Sequence, residues 1–298
     1  MRLYICIFLL LISCNNQDQL LPSSTGSDSE IIFLASDDIW QDKIKDLVLK
    51  VFEKPIEGLG REEPAFNILR VDKKQFNLLL KRHTNIVIID SNIKSIKIKH
   101  NQWAKEQMVA YINWNQHDLK NLETLRGLYD KFKKKELKKL RIFHKKESWG
   151  DIENKLKLNF GIDVIVPKKY TIIQDTDDFF WASYNPAKSE EIKQLLIFSF
   201  RPKTANISSE ILTKLDSVFS KHLKGPKENT YVKIERRYSP YYSNNTYRGI
   251  WKLENGFMGG PFLAKEYFIN NKIIISSGLI FSPQSPKRKH IKELEVIL

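Results

Sequence analysis

The sequence predicts an α+β fold in which two sheet-bearing halves are joined by a long, charged helical segment. Short apolar or alternating runs, typical of strands, occur in both halves, whereas residues 117–159 have the pattern of helix. Strands and helices do not alternate strictly in the first half, so a wholly parallel sheet is not expected there. The successive strand-like runs of the second half favour a mostly antiparallel sheet.

The N-terminus has the layout of an export signal. Arg2 provides a positive start, residues 3–12 are apolar, and Cys14 follows the small residue Ser13. The apolar run is too short to span a bilayer as a helix and has the length of a signal-peptide core. The arrangement resembles a bacterial lipobox, which implies that residues 1–13 are removed and that Cys14 is acylated. The alternatives are a plain signal peptide and a buried strand.

Residues 14–29 are predicted to be the lipidated cysteine and a flexible tether. The segment is polar and rich in Ser, Gly and Asp, so it cannot bury enough surface to offset the entropy of ordering. An acylated Cys14 would hold the chain on a membrane through several acyl chains, and membrane lipid is therefore an expected partner. No later stretch approaches 18 consecutive apolar residues.

Cysteine content and charge exclude some classes of function. Cys6 and Cys14 are the two cysteines of the chain, so the mature domain is expected to have no disulfide and no thiol chemistry. The net charge of +14 suggests a nucleic-acid partner, but lysines are spread along the chain and the chain is expected to be exported. We therefore expect no nucleic-acid partner. The basic run at 131–146 is interpreted as a solvated helix face, with contact to anionic lipid as the alternative.

The first half is predicted to span residues 30–116. An apolar strand at 30–35 leads into a helix that begins at Ser36 or Asp37 and ends near Pro55. The elements predicted after it are a strand at 66–71, a helix at 74–81, a hairpin of strands at 85–90 and 93–98, a helix at 102–107 and a strand at 108–114.

The helical connector spans residues 117–159 and is interrupted at 148–150, and the second half spans residues 160–298. Strands are predicted at 162–166, 170–174, 179–184, 195–200, 231–236, 247–253, 261–269 and 272–281, with helices at 208–222 and 287–297. Ser208 or Ser209 is the expected cap of the first of these helices. Asn270-Asn271 is expected to form a tight hairpin turn, because asparagine tolerates a positive φ.

No motif in the sequence indicates a catalytic residue, a metal site or a cofactor. There is no G-x-S-x-G, and the six histidines lack metal-ligand spacing. Glu62 and Glu63 are interpreted as part of a solvated loop rather than as paired catalytic carboxylates. The glycines at 256–260 are expected to form a turn with positive φ that Pro261 ends.

The candidate binding surface lies in the last third of the chain. Its aromatic, Met and Arg side chains are of the types enriched at interfaces and in ligand grooves. The six residues are Tyr241, Tyr242, Arg248, Trp251, Phe257 and Met258. Residues 238–245 are predicted to be an exposed loop, and alternation at 247–253 places Tyr247 and Trp251 on one face.

This surface has two interpretations besides core packing. A flat aromatic patch around Trp251 would favour a protein partner. A deep pocket with polar groups would favour a carrier or an enzyme.

Six segments carry a resemblance to a known family: LPSSTGSDSEIIFL at 21–34, EEPAFNI at 62–68, NQWAKEQMV at 101–109, FGIDVIVPKKYTI at 160–172, DDFFWAS at 177–183 and YRGIWKLENGFMGGPF at 247–262. Through them the mature sequence resembles a Bacteroidetes family of lipoproteins of unknown function. The resemblance implies a lipid-anchored protein of a Gram-negative cell envelope and assigns no catalytic residue.

The hypothesis from sequence is thus a membrane-anchored envelope lipoprotein that acts as a binding or assembly component, with an envelope protein as a possible partner. The alternative is an envelope hydrolase or a small-ligand carrier with a site between the two halves. Residues 15–17 lack an acidic run of the kind linked to surface export, so the periplasmic face is the expected location.

Overall fold

The computed structural model describes residues 20–114 and 120–298. The predicted signal peptide and Cys14 lie outside the described residues. Contacts divide the chain into two compact units that interleave in sequence. The described parts are residues 20–39 and 69–114 in the first unit, and residues 40–68 and 120–298 in the second. The fold class is α+β, as predicted.

The α-helices of the described chain are α1 (Asp37–Ile39), α2 (Lys45–Phe52), α3 (Leu78–Lys81), α4 (Lys120–Lys146), α5 (Gly150–Phe160), α6 (Ile207–His222) and α7 (Arg288–Ile297). A π-helix at Trp40–Ile44 joins α1 to α2, and a short 3-10 helix covers Lys73–Gln75. The strands are β1 (Glu30–Leu34), β2 (Asn67–Val71), β3 (Asn85–Ile89), β4 (Lys97–His100), β5 (Met108–Ile112), β6 (Thr171–Asp175), β7 (Phe179–Tyr184), β8 (Ile192–Phe200), β9 (Tyr231–Ile234), β10 (Tyr241–Ser243), β11 (Thr246–Glu254), β12 (Gly259–Ile269) and β13 (Lys272–Phe281). No helix within the described residues is both long and apolar enough to cross a membrane.

The first unit is built on a five-stranded sheet of order β2-β1-β3-β5-β4. β3 pairs in parallel with both β1 and β5, and β4 is antiparallel to β5. The central strands are almost continuously buried, which is the pattern of strands covered on both faces. The sheet is therefore mixed.

The predicted tether reaches into this unit. Ser23 and Thr25 form parallel bridges with Lys105 and His83. The Thr25 N–H donates to the Arg82 carbonyl at 2.9 Å. The described end of residues 14–29 is therefore held by backbone hydrogen bonds to the first unit instead of forming a free tether.

The second unit is built on an eight-stranded antiparallel sheet of order β10-β11-β12-β13-β8-β7-β6, with β9 also paired to β11. One face is covered by α6, whose Ile211, Leu215 and Phe219 are fully buried against it. The other face is covered by α5 and α7. Along β8, Leu195 and Ile197 belong to the core on the α5 and α7 face. Leu196 and Phe198 belong to the core on the α6 face, as the two-residue repeat of a strand requires.

α4 lies alongside α7 and α2 and presents its buried stripe to them. Leu125, Leu128 and Phe132 are almost fully buried. The predicted interruption at 148–150 is confirmed, since α4 ends at Lys146 and α5 begins at Gly150.

Several local predictions are wrong, and each error has a physical reason. The strand predicted at 93–98 does not form a hairpin with β3. Its residues overlap β4, which pairs with β5 instead. The segment at 102–107 forms bends and turns and is not helical. The consecutive strands β3 and β4 are therefore separated in the sheet by β5.

Four of the residues 162–166 are buried, with Asp163 exposed, but the segment does not join the sheet. The Ile165 N–H donates to the carbonyl of Ile297 at the end of α7, and the Val166 N–H donates to the Glu153 carboxylate at 3.1 Å. The predicted loop at 238–245 contains β10, because Asn244 and Asn245, with φ of 50° and 56°, form a tight turn into β11.

One predicted helix cap and one predicted turn differ from the structure, and another predicted turn agrees with it. The Asn206 side chain caps α6 by accepting from the Ser209 N–H at 3.1 Å, in place of Ser208 or Ser209. The predicted turn at Asn270-Asn271 is confirmed, with φ of 50° and 59°. In the β11–β12 turn the left-handed residue is Asn255 (φ 57°), whereas Gly256, Gly259 and Gly260 have no positive φ.

Candidate functional site

Strand β11 distributes the predicted binding residues over two faces of the second sheet. Its burial alternates strictly, as the sequence predicted. Tyr247 and Trp251 point to the α6 face, where both belong to the apolar core. Arg248 points to the opposite face and binds Glu295 of α7 at 2.7 Å.

Trp251 is held by a hydrogen bond that the sequence pattern does not reveal. Its Nε1 donates to the carbonyl oxygen of Ile280 on β13 at 3.1 Å, across strand β12. Gly260 of β12 lies directly opposite Trp251, and a Cβ there would lie 2.0 Å from the Ile280 oxygen. The next residue, Pro261, has no N–H to offer to β13. The Gly-Pro pair therefore makes room for the indole and leaves a carbonyl for it to bind.

A cavity of about 480 Å³ lies beside Trp251, where α6 ends and no longer covers the sheet. Its lining is mainly apolar and aromatic, and its volume is in the range of small-molecule sites. The lining residues are Trp181, Asn185, Ile192, Gln194, His222, Leu223, Lys224, Gly225, Pro226, Val232, Trp251, Leu253, Met258, Leu279 and Phe281. We call this cavity the α6 pocket.

The few polar groups of the α6 pocket are largely engaged. The Trp181 Nε1 donates to Gln194 Oε1 at 2.7 Å. The His222 ring stacks on Phe179, with ring centroids 4.1 Å apart. Burial lowers the pKa of His222, and the charges of Lys221 and Lys224 lower it further, so this ring is uncharged at neutral pH. The pocket therefore suits a ligand whose buried part is apolar.

Of the six predicted residues, the structure brings Trp251 and Met258 together in the α6 pocket. Phe257, next to Met258, is 96% exposed. Tyr241 and Arg248 instead line a smaller cavity of about 260 Å³ on the other face of the sheet. Tyr242 donates to Glu266, and this hydrogen bond raises its pKa to about 12.

Sequence reasoning missed most of the pocket lining. Trp181, Leu279 and Phe281 lie on β7 and β13, which are far from β11 in sequence. The one available signal was the alternation in β7, which places Trp181 on the same face as the buried Phe179.

A second candidate site brings together a serine, a histidine and a carboxylate, the residue types of a serine hydrolase. Ser285 Oγ lies 3.0 Å from His290 Nε2, and His290 Nδ1 lies 3.5 Å from Glu191 Oε1. Burial lowers the pKa of His290 to about 4, and the charge of Lys193 adds to the effect. The ring is therefore neutral at pH 7, but a pKa this low makes it a weak base toward the serine hydroxyl, and its Nδ1 forms no hydrogen bond with Glu191.

Two backbone N–H groups near Ser285 are not available to form an oxyanion hole. The backbone N–H groups of Lys287 and Arg288 both donate to the Glu63 carboxylate at 2.7 Å, so they are not directed at an oxyanion. Glu62 and Glu63 lie in a loop, as predicted, with Glu62 exposed, but the half-buried Glu63 is not simply solvated because its carboxylate stabilises the N-terminus of α7. No group of three or more His, Cys, Asp or Glu side chains in residues 20–114 and 120–298 is placed to hold a metal ion.

Two family models match the chain. The model described as domain of unknown function DUF4837 matches residues 150–298, which is half of the chain, and the model described as domain of unknown function DUF8532 matches residues 24–144. No curated protein matches the sequence. The first match covers β6 to β13 and α5 to α7, and hence all residues that line the α6 pocket.

Proposed function

The chain belongs to the DUF4837 family, and we propose that this member is a lipid-anchored envelope protein that holds a small, mainly apolar ligand in the α6 pocket. The observation that carries the proposal is the pocket itself, with two tryptophans, a methionine and a phenylalanine around a cavity of about 480 Å³. Trp251 is 5% exposed and lines this pocket, which supports a carrier over a protein partner bound to a flat aromatic patch.

The ligand-binding part is tested with a fluorescent apolar probe. N-phenyl-1-naphthylamine, which emits strongly only in apolar surroundings, is titrated into the protein and then displaced with palmitate. Met258→Trp is expected to fill the pocket and lower probe affinity at least tenfold. The matched control Phe257→Trp adds the same ring one residue away, at an exposed position outside the lining. Equal probe affinity in the Met258→Trp variant, with the fold intact by circular dichroism, would refute the pocket assignment.

The anchor is proposed from the sequence alone. Arg2, the apolar residues 3–12 and Cys14 support export, cleavage before Cys14 and acylation of that cysteine. We expect wild-type protein to incorporate labelled palmitate and to stay with membranes after an alkaline wash. Cys14→Ser is expected to lose both properties, and membrane retention of this variant at the wild-type level would overturn the anchor. The lack of an acidic run at residues 15–17 supports a location at the periplasmic face of the envelope.

A second candidate function is an envelope hydrolase, and the Ser285–His290–Glu191 arrangement is the observation that favours it. A fluorophosphonate probe, which forms a covalent bond with activated serines, is the test. Labelling that Ser285→Ala and His290→Gln both abolish would favour the hydrolase. No labelling of folded wild-type protein would leave the ligand carrier as the proposed function.

A further inference from the structure

We propose that the β11–β12 turn docks on an anionic lipid surface and that the α6 pocket takes an acyl chain of a membrane lipid through this contact. The inference deepens the proposed function and rests on it, because it names the ligand class of the same pocket. The turn comprises residues 255–258 and carries Phe257 at its tip.

The exposure of Phe257 is imposed by a well-ordered turn. The Met258 carbonyl accepts from the Leu253 N–H at 2.8 Å, and the Leu253 carbonyl accepts from the Gly256 N–H at 3.1 Å. The Asn255 side chain ties the turn to the loop after α6 by donating to the Asn229 carbonyl at 3.0 Å. Phe257 is therefore held away from the core, 96% exposed. A fully exposed ring on a rigid tip is suited to insertion at a membrane interface.

Lysines are frequent in the turn's own segment and in the loop and strand that adjoin it. The segments at 221–233 and 252–259 contain five lysines and two glutamates. Lys233 lies directly opposite Lys252 on the paired strands β9 and β11, and Lys252 also pairs with Glu254 at 3.2 Å. Lys224 and Lys233 both lie over the Tyr231 ring, at 5.4 and 5.1 Å. The two segments next to the turn therefore carry a net positive charge, which attracts anionic headgroups.

The α6 pocket opens beside the same turn. Met258 of the turn and Lys224, Gly225 and Pro226 of the neighbouring loop line the pocket. A bilayer in contact with Phe257 and the lysines would therefore place acyl chains next to an apolar cavity. The lysines at the rim of the pocket match the anionic headgroup of a lipid, and the apolar lining matches its acyl chain.

A second basic surface with exposed apolar groups lies on α4. Ile142 and Phe143 are 60% and 64% exposed, and Lys146 lies beside them. This surface contributes no residue to the α6 pocket. The α4 surface therefore serves as the control site in the labelling experiment below.

The test places an environment-sensitive label at each tip in the full chain. Cys6→Ser and Cys14→Ser leave one reactive thiol in the Phe257→Cys variant and one in the Phe143→Cys variant, and both are labelled with a nitrobenzoxadiazole dye. Vesicles of phosphatidylcholine with phosphatidylglycerol are expected to raise emission at residue 257 severalfold, and lipids with a doxyl group on the acyl chain should quench it. An unchanged emission at residue 257, or a rise at residue 143 alone, would overturn the proposal.

Charge variants test the headgroup contact. Lys224→Gln with Lys227→Gln is expected to weaken vesicle binding roughly fivefold per lysine. Lys134→Gln with Lys138→Gln on the exposed side of α4 is the matched control and should leave binding unchanged. Equal loss in both pairs would indicate general attraction by net charge and overturn docking at the turn.

The outcomes separate this inference from the proposed function. Tight binding of N-phenyl-1-naphthylamine in solution, with no response at residue 257 on vesicles, would leave a ligand carrier without lipid docking. A response at residue 257 with no probe binding in the pocket would instead refute the carrier and, with it, the uptake of an acyl chain.

Discussion

Trp251 reaches across strand β12 and donates its indole N–H to the carbonyl oxygen of Ile280 on β13, 3.1 Å away. The hydrogen bond depends on a strand between them that lacks a side chain at Gly260 and an N–H at Pro261. It fixes the orientation of an indole that forms one wall of the α6 pocket. Backbone chemistry in β12 therefore shapes a binding site to which Gly260 and Pro261 contribute no lining atoms.

Gly260→Ala is expected to destabilise the protein by about 2 kcal/mol, because the new Cβ would collide with the Ile280 carbonyl and displace Trp251. Urea unfolding followed by tryptophan fluorescence measures the effect, and probe affinity should fall with it. Gly127→Ala in α4 is the control, since a Cβ there meets nothing within 4 Å. That substitution should stabilise the protein by about 0.5–1 kcal/mol. Equal effects at the two glycines would contradict the steric argument.

Glu293 is expected to make stability sensitive to acid. Burial raises its pKa, but the charges and hydrogen bonds of Lys193 and Lys169 outweigh burial and hold the pKa at about 2. Its folded-state pKa is lower than the ordinary 4.5, so its contribution is present above pH 4.5 and is lost as the pH falls toward 2. Urea unfolding over this range should show a loss of about 3 kcal/mol from this group.

Substitutions of Glu293 and Lys193, alone and together, show how much of the stability depends on the ion pair between them. Glu293→Gln at neutral pH should cost about 3 kcal/mol, because the buried Lys193 would lose one of its two carboxylate partners and keep Glu191, 2.6 Å away. Adding Lys193→Met should recover much of this loss. A double variant that is no more stable than Glu293→Gln alone would show that the cost does not arise from the weaker charge compensation of Lys193.

His290 is expected to cause a second loss of folding stability on acidification, at a higher pH than the loss caused by Glu293. Its folded pKa of about 4 is below the ordinary 6.5, so the unfolded chain binds its proton first. Stability should therefore fall as the pH drops from 6.5 toward 4. His290→Gln should flatten this part of the pH profile of unfolding free energy. The exposed His100→Gln is the control, and a profile that His290→Gln leaves unchanged would exclude His290 as the source.

The Asn270-Asn271 turn should require a residue that tolerates the left-handed region. Asn271 has a φ of 59°. Asn271→Val is expected to lower stability by about 1–2 kcal/mol, because a β-branched side chain clashes there. Asn271→Gly should keep or improve stability, since Asn-Gly is the preferred pair for this turn. Thermal unfolding of the two variants gives the comparison, and equal melting temperatures would contradict it.

Elements with a strong local pattern could be predicted from the sequence. The alternation along β11 placed Tyr247 and Trp251 on one buried face, and the helical spacing with the interruption at 148–150 located α4 and α5. The pairing of β4 with β5 could not be predicted, because it depends on which strands meet after the chain has folded. The hydrogen bonding of residues 162–166 to the end of α7 is hidden for the same reason, since the partner Ile297 lies more than a hundred residues away.

The sequence by itself determined the α+β class, the existence and approximate bounds of most strands and helices, and the inward face of β11. These depend on the two-residue and 3.6-residue repeats of side-chain direction, which are local properties of the chain. The tertiary structure alone decided that Trp251 and Met258 share a pocket with Trp181 and Phe281, while Arg248 and Tyr241 lie on the other face of the sheet. The physical reason is that a pocket is bounded by strand order and by where α6 stops covering the sheet, and both follow from contacts between residues distant in sequence.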